Sequence, residues 1–335
     1  MGLDAVDGVA GMLGEIIQEA DGCEDCCEDC CEDCATAKSS YPREITTDIW
    51  RWPLHHAGTT MLELHCHSQY SDGTLTPTQL VQTAAAAGVK VLALTDHDTM
   101  SGCSEAAEAA RAYDLTLVPG VELSTVYRGR SMHILGFYPD GDRLESPLRE
   151  RLQGRKQRSQ QMLDKLRQLG YPLELPQLGE GVAPSRPHLA RALLAAGYVH
   201  SWEEAFDRFL GEGKPAYVGY AKFSAEEGIA LLRSCGAVPV WAHPYLFAGG
   251  DVEEVLPHLV EAGLMGVEVY HPHHRRSQQE RLQQLCQNNS LLMTGGTDYH
   301  GPGVGRTALN SFALPLTLLP PLEAAASHLK SHEVS

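Results

Sequence analysis

From Met61 onward, short runs of consecutive apolar residues alternate with longer stretches in which apolar positions recur every three or four residues. The runs at 61–66, 89–95, 115–121, 131–137, 237–242, 265–270 and 291–296 predict strands, and the stretches at 77–87, 103–113, 225–235, 252–262 and 277–287 predict helices. A strand-then-helix alternation predicts a parallel sheet covered by helices, and its length points to an α/β barrel. The rhythm breaks between about Leu144 and Tyr220. There 147–169, 187–196 and 201–210 read as helices with no strand between them, which predicts a helical insertion domain at 144–220 inside a barrel formed by 61–143 and 221–335. Residues 1–60 read as a largely unstructured appendage. A short amphipathic stretch at 5–19 is followed by a cysteine-rich repeat and a polar linker, with no apolar positions to build a core.

Composition changes this picture in two places. Hydrophobic residues make up 43% of the 335 positions and charged residues 21%. No run is long and apolar enough to cross a bilayer and no secretory signal is visible, so a globular cytoplasmic protein is expected. The net charge of −17 is unevenly spread: residues 1–60 hold 13 acids and 3 bases, or −10, which leaves −7 for the rest. Between Arg143 and Arg191 ten bases face five acids, the one basic island. Of ten cysteines, Cys23, Cys26, Cys27, Cys30, Cys31 and Cys34 form one repeat. Cys66, Cys103, Cys235 and Cys286 are scattered in apolar or helical surroundings and read as small buried hydrophobes in a reducing setting.

The histidines and acids fall where the strands end. His65 and His67 are two apart, so a period of two puts both side chains on one face. Asp72 follows in a Ser-Asp-Gly turn, and His97 closes the second strand in Leu-Thr-Asp-His-Asp. Glu122 ends the third strand in Pro-Gly-Val-Glu, His133 opens the next, His243 ends a later one in Ala-His-Pro, and Asp298 and His300 follow the last. In a parallel barrel the carboxyl ends of the strands meet at one rim, where active sites are built. Six imidazoles and three carboxylates exceed what one ion takes but suit two or three ions sharing a carboxylate. Mixed nitrogen and oxygen donors favour manganese, iron or zinc. Buried without metal, such groups would each cost about 1–3 kcal/mol in lost hydrogen bonds.

Leu-His-Cys-His-Ser-Gln-Tyr-Ser-Asp-Gly, Leu-Thr-Asp-His-Asp, Pro-Gly-Val-Glu, Met-His-Ile-Leu-Gly, Ala-His-Pro and Thr-Asp-Tyr-His-Gly together resemble the ordered motifs of the PHP (polymerase and histidinol phosphatase) phosphoesterases, from Met61 to about Thr307. The resemblance is closest to the branch of nucleoside 3′,5′-bisphosphate phosphatases and 5′-to-3′ oligoribonucleases. It implies a distorted seven-stranded (β/α) barrel with a helical insertion. It also implies that His65, His67, Glu122 and Asp298 hold one ion, that Glu122 bridges to a second held with His133 and His243, and that Asp72, His97 and His300 hold a third. Residues 1–60 lie outside it.

Three divalent cations against three carboxylates would leave about three positive charges, so an anion is the expected guest, and a water deprotonated by the ions the expected nucleophile. Arg186 and His188 in Ser-Arg-Pro-His and Lys214 in Gly-Lys-Pro-Ala, all from the insertion, resemble substrate-facing residues; His271 and His273 end another strand and are expected near the same pocket. The basic helix with Arg149, Arg151, Arg155, Lys156, Arg158, Lys165 and Arg167 reads as a solvated face, and no aromatic residues interleave with its bases. Mononucleotides or short 5′-phosphorylated oligonucleotides are therefore the expected substrates, with no long duplex and no membrane partner; the sequence carries no sign of an oligomeric state. Two other readings compete: a phosphatase for a small metabolite such as histidinol phosphate, and a catalytically silent metal-binding regulatory module. The three Cys-x-x-Cys pairs of the N-terminal repeat lack the distant second pair of a zinc ribbon. A disordered acidic tail is the expectation there, soft-metal binding the sharper alternative, and no N-myristoylation is expected.

Overall fold

The computed structural model describes residues 61–174, 182–219, 223–304 and 307–332. The acidic extension, its cysteine repeat and the rest of residues 1–60 lie outside the described residues.

The chain enters through β1 (Met61–Glu63), α1 (Pro77–Ala86), β2 (Val89–Leu94) and α2 (Cys103–Ala112). Helix α1 starts where the sequence supplies a reciprocal cap: Thr76 Oγ1 accepts from the Gln79 N–H, Gln79 Oε1 accepts from the Thr76 N–H, and Pro77 stands at the first helical position. Strands β3 (Thr116–Tyr127) and β4 (Arg130–Phe137) follow. Then come three helical segments, α3 (Gly141–Gln168), α4 (Arg186–Ala195) and α5 (Trp202–Ala205), the last continuing into a π-helical turn at Phe206–Leu210. The two-residue strand β5 (Phe223–Ser224) returns the chain to the sheet. It is succeeded by α6 (Ala225–Ser234), β6 (Val238–Trp241), α7 (Val252–Glu261), β7 (Gly266–Tyr270), α8 (Arg276–Asn288), β8 (Leu292–Gly295), β9 (Leu314–Pro315) and α9 (Leu319–His332).

The sheet runs β8-β7-β6-β4-β3-β2-β1-β9, with β5 beside β3. Its two ends meet, since Leu64 donates its N–H to Gly295 O and His67 to Tyr299 O, which makes a nearly closed barrel. Buried Glu63 fastens that seam by accepting from the N–H and hydroxyl of Thr297 and from the N–H of Asn310.

The barrel is not all parallel, which corrects the reading of the apolar rhythm. β3 pairs in parallel with β2 over Thr116–Pro119, then runs on antiparallel to β4 over Gly120–Tyr127, and β4 is also antiparallel to β6. The cause is local. Only Arg128 and Gly129 separate β3 from β4, and both have positive φ (49° and 76°), the signature of a tight hairpin, which can join only antiparallel strands. Glu122 consequently lies inside a twelve-residue strand and not at the end of a short one.

Leu, Val, Ile, Met and Trp side chains from both sheet and helices fill the barrel's cores, including fully buried Trp241, Phe137 and Met132. The segments α3–α5 have an apolar cluster of their own, with Met162, Leu166, Leu189, Leu193, Phe209 and Leu210 at its centre. Cys66, Cys235 and Cys286 are buried, Cys103 partly so, and all four are free thiols. Among the described residues no helix is long and apolar enough to cross a membrane.

Candidate metal centre

The period-two expectation for the first motif holds atom by atom. His65 and His67 turn to one side of the chain just past β1, while Cys66 between them donates its thiol to Ala93 O on the other. Close backbone approach makes this possible: a Cβ on Gly296 would sit 2.4 Å from His65 N, and one on Gly73 would sit 2.4 Å from His67 O. Asp96, which precedes His97, locks the following loop by accepting from the N–H and hydroxyl of Ser68.

All nine of these histidines and acids converge, Glu122 and His133 from within strands. Around Glu122 Oε2 stand His65 Nε2 at 3.3 Å, His67 Nε2 at 3.2 Å and His97 Nδ1 at 3.1 Å. Asp298 Oδ1 lies 3.4 Å from His65 Nε2 and 3.0 Å from His67 Nε2. The other oxygen of Glu122, Oε1, faces His133 Nδ1 at 2.8 Å and His243 Nε2 at 3.1 Å. Asp72 Oδ1 is 3.2 Å from His300 Nε2, and its Oδ2 is 3.7 Å from His97 Nε2. His97 thus presents one nitrogen to Glu122 and the other to Asp72.

These separations have a simple reading. Two donors bound about 2.1 Å from one ion lie roughly 3.0–3.4 Å apart at octahedral or tetrahedral angles. Three groups have donor atoms mutually within 4.8 Å: His65, His67, Glu122 and Asp298; His67, Asp72, His97 and His300; and His97, Glu122 and His133. Four of the atoms at the centre, His65 Nε2, His67 Nε2, His97 Nδ1 and Glu122 Oε2, are buried and have no hydrogen-bond partner. Buried polar atoms are rarely left so. A set of imidazole and carboxylate ligand atoms gathered around one buried centre fits divalent cations.

Electrostatics of the cluster agree. Burial would raise Glu122, but His97, His133 and His65 around it hold the carboxyl well below its usual range. Asp298 and Asp72 are lowered against burial by His65 and His300 respectively. Burial opposes charge on His67 too, yet the Asp298 and Glu122 carboxylates raise it to about 10. His97 goes the other way, to about 3, because burial dominates there. In the absence of cations, the carboxylates hold protons on some of the histidines that would otherwise bind metal.

The cluster is sealed below and open above. His65, His67 and Glu122 side chains are 0–1% exposed, whereas His133 and Asp298 reach 24% and His300 18%. His243 (φ 33°) and Asp298 (φ 50°) occupy the left-handed region, as does Asp98 (φ 52°) next to His97. Each such non-glycine residue costs about 1–3 kcal/mol and survives only where the surroundings dictate it.

The remaining residues singled out in the sequence are placed unequally. His271 is buried with Nε2 3.6 Å from Asp298 Oδ2, and its ring is 5.5 Å from that of exposed His273. His188 at the start of α4 accepts the Ser185 N–H on Nδ1, so its proton is on Nε2. Burial pushes its pKa down to about 4, with Asp72 close enough to oppose the shift. Arg186 lies over the Phe206 and Tyr217 rings, and Lys214 is exposed in a turn. Sequence reasoning missed Arg191, also on α4, which donates Nη2–H to the carbonyl of Asp72 at 2.6 Å.

The basic helix is only partly a solvated face. Arg155 is buried and paired with buried Asp98 at 2.7 Å, and Arg151 is buried over the Phe223 ring. Arg158 and Lys165 donate to the carbonyls of Val218 and Tyr217. Arg149 and Arg167, paired with Glu145 and Asp164, are exposed as expected. The partners of the inward-turned cations lie far away in sequence, so the helix's own pattern does not reveal them. Glu268, in the apolar strand β7, was also missed; its one sequence signal is a carboxylate between two valines.

Comparison with known proteins finds relatives along most of the chain. A sequence profile described as the PHP domain matches residues 63–175. A 5′-3′ exoribonuclease of Haemophilus influenzae is 35% identical over 251 residues, covering 73% of this chain and 91% of that protein. A 3′,5′-nucleoside bisphosphate phosphatase of Chromobacterium violaceum is 32% identical over 252 residues, with 73% and 88% covered. The solved structure of a Bifidobacterium adolescentis protein, assigned as a metal-dependent phosphoesterase, superposes with a TM-score of 0.71 at 31% identity over 79% of this chain and 96% of that one.

Proposed function

The chain belongs to the PHP domain family of metal-dependent phosphoesterases, and from that premise we propose that it acts on nucleoside 3′,5′-bisphosphates or short 5′-phosphorylated oligonucleotides, with two or three manganese, iron or zinc ions held in the histidine–carboxylate cluster. The observation that carries the reading is the set of buried, unpartnered donor atoms on His65, His67, His97 and Glu122. His65, His67, Glu122 and Asp298 hold one ion; Glu122, with His133 and His243, a second; Asp72, His97 and His300 a third. Such ions, when bound, lower the pKa of water to give a nucleophile near neutral pH and neutralise charge on phosphoryl oxygens.

The chain's own groups do the rest. The two oxygens of Glu122 face different histidines, so one carboxylate spans two positions. Glu268 adds a fourth buried carboxylate, which reduces the expected excess in the pocket to about two positive charges. That is still a pocket for anions. Arg191 and His188 reach the Asp72 side from α4 and offer N–H donors there, which favours a substrate with a second phosphate over a monophosphate metabolite. We read residues 144–220 as the insertion that supplies these donors to a barrel of 61–143 and 221–335, supported by the separate apolar cluster of α3–α5. Free thiols at Cys66, Cys103, Cys235 and Cys286 support a cytoplasmic setting.

The test is phosphate release with manganese from adenosine 3′,5′-bisphosphate, a short 5′-phosphorylated RNA and histidinol phosphate, run beside Asp298→Ala. Turnover of the first two with little of the third, abolished by Asp298→Ala, is expected. Preference for histidinol phosphate would replace the substrate assignment. No release from any of them would favour a silent metal-binding module.

A further inference from the structure

Glu268 sits inside the apolar strand β7 and is fully buried, yet it belongs to none of the three donor groups. Its Oε1 accepts from His65 Nδ1–H at 2.9 Å, and its Oε2 accepts from the backbone N–H of His243 at 2.8 Å. An ionised carboxylate only accepts hydrogen bonds, so both contacts fix a direction. His65 must carry its proton on Nδ1. That leaves Nε2, 3.3 Å from Glu122 Oε2 and 3.4 Å from Asp298 Oδ1, as the nitrogen turned toward the cation position. His243 stands at φ 33° immediately before Pro244, a conformation that sterics oppose. The bond from its N–H helps to hold it there, with Nε2 3.1 Å from Glu122 Oε1. The two histidines so fixed face opposite oxygens of the same carboxylate.

We infer that Glu268 is a positioning residue shared by two cation positions, setting the tautomer of His65 for one and the backbone of His243 for the other, while leaving the position formed by Asp72, His97 and His300 untouched. The inference rests on the cluster being a cation site, as proposed above. Partners of this kind are generally worth ten- to a hundredfold in metal affinity.

Glu268→Gln tests it with almost no change in volume. A carboxamide has one oxygen for two donors, so one of the two contacts must fail. Metal-free full-length wild type and variant would be titrated with Mn²⁺ by calorimetry, with bound metal counted after dialysis, and the His65 tautomer read from ¹⁵N-histidine spectra of the Zn²⁺-loaded proteins. We expect the weakening, about ten- to a hundredfold, to be confined to the two positions that use His65 and His243, with the remaining ion held at wild-type affinity, which also shows that the fold is intact. A mixed or reversed His65 tautomer should accompany the loss. Glu268→Asp, which keeps both acceptors on a shorter arm, should weaken the same positions less. Wild-type affinity at every position, or equal weakening at all of them, would overturn the inference. A wild-type chain that binds fewer than two ions would instead sink the cation-site reading itself.

Discussion

The mouth of the barrel and the helical segment α3–α5 both carry clustered charge, but they hold it in different ways. At the mouth, His65, His67 and Glu122 are buried to within 1% of completely, are carried on strands and strand ends, and are held by Glu63, Asp96 and Glu268 behind them. In the helical segment Arg186, Arg191 and Lys214 are partly or fully exposed and sit on helices or in a turn. Under the proposed function the difference separates two tasks: the dry cluster is where bond cleavage would occur, and the wetter cations on a separately packed set of helices would decide what is admitted. Asp98 and Arg155 join the two, because this buried pair ties the loop carrying His97 to α3.

The sharpest way to break the comparison is to damage each side and read rate against affinity. Asp298→Ala or Glu122→Gln should lower kcat by about a thousandfold or more, since either removes a donor shared by several histidines, as well as a charge at the reacting centre. Loss of a similar size from a change within α4 would erase the division of labour. Cutting the joint comes next. Asp98→Ala removes the buried carboxylate facing the Arg155 guanidinium and should destabilise the chain by about 1–3 kcal/mol, seen as a lower denaturation midpoint.

How far the sequence foretold this depends on whether a signal was local. Strand positions and the convergence of the nine side chains were legible because apolar runs and the histidines and acids beside them repeat in order. The antiparallel β4 was hidden in two residues, Arg128 and Gly129, whose positive φ makes a hairpin inside a sheet read as parallel. Arg155, Arg191 and Glu268 were illegible for another reason: their meaning comes from Asp98, Asp72, His65 and His243, which are between 25 and 203 positions away.

Smaller effects sharpen the comparison further. His67 is raised to about 10 by Asp298 and Glu122 when no cation is present, so below that pH it carries a proton that a metal must displace. Metal affinity should therefore fall as pH is lowered, by up to about tenfold per unit for each proton displaced, and adding Mn²⁺ to the metal-free protein near pH 7 should release protons measurable in weak buffer. An affinity independent of pH would contradict the proton-holding cluster. Arg191→Ala should raise KM for a bisphosphate about ten- to a hundredfold while changing kcat little, as expected for a charged donor that binds ground and transition states alike. The smallest effect belongs to the exposed end of α3: Arg149→Ala should change stability by less than about 0.5 kcal/mol and leave KM unaltered, because its pair with Glu145 is solvated.

The most direct test is anomalous diffraction at the manganese edge from crystals of the full chain grown with Mn²⁺. The account predicts two or three peaks, one about 2.0–2.3 Å from His65 Nε2, His67 Nε2, Glu122 and Asp298 and another sharing Glu122 with His133 and His243. A single peak elsewhere on the surface, with these nine side chains hydrogen-bonded only to one another, would contradict it.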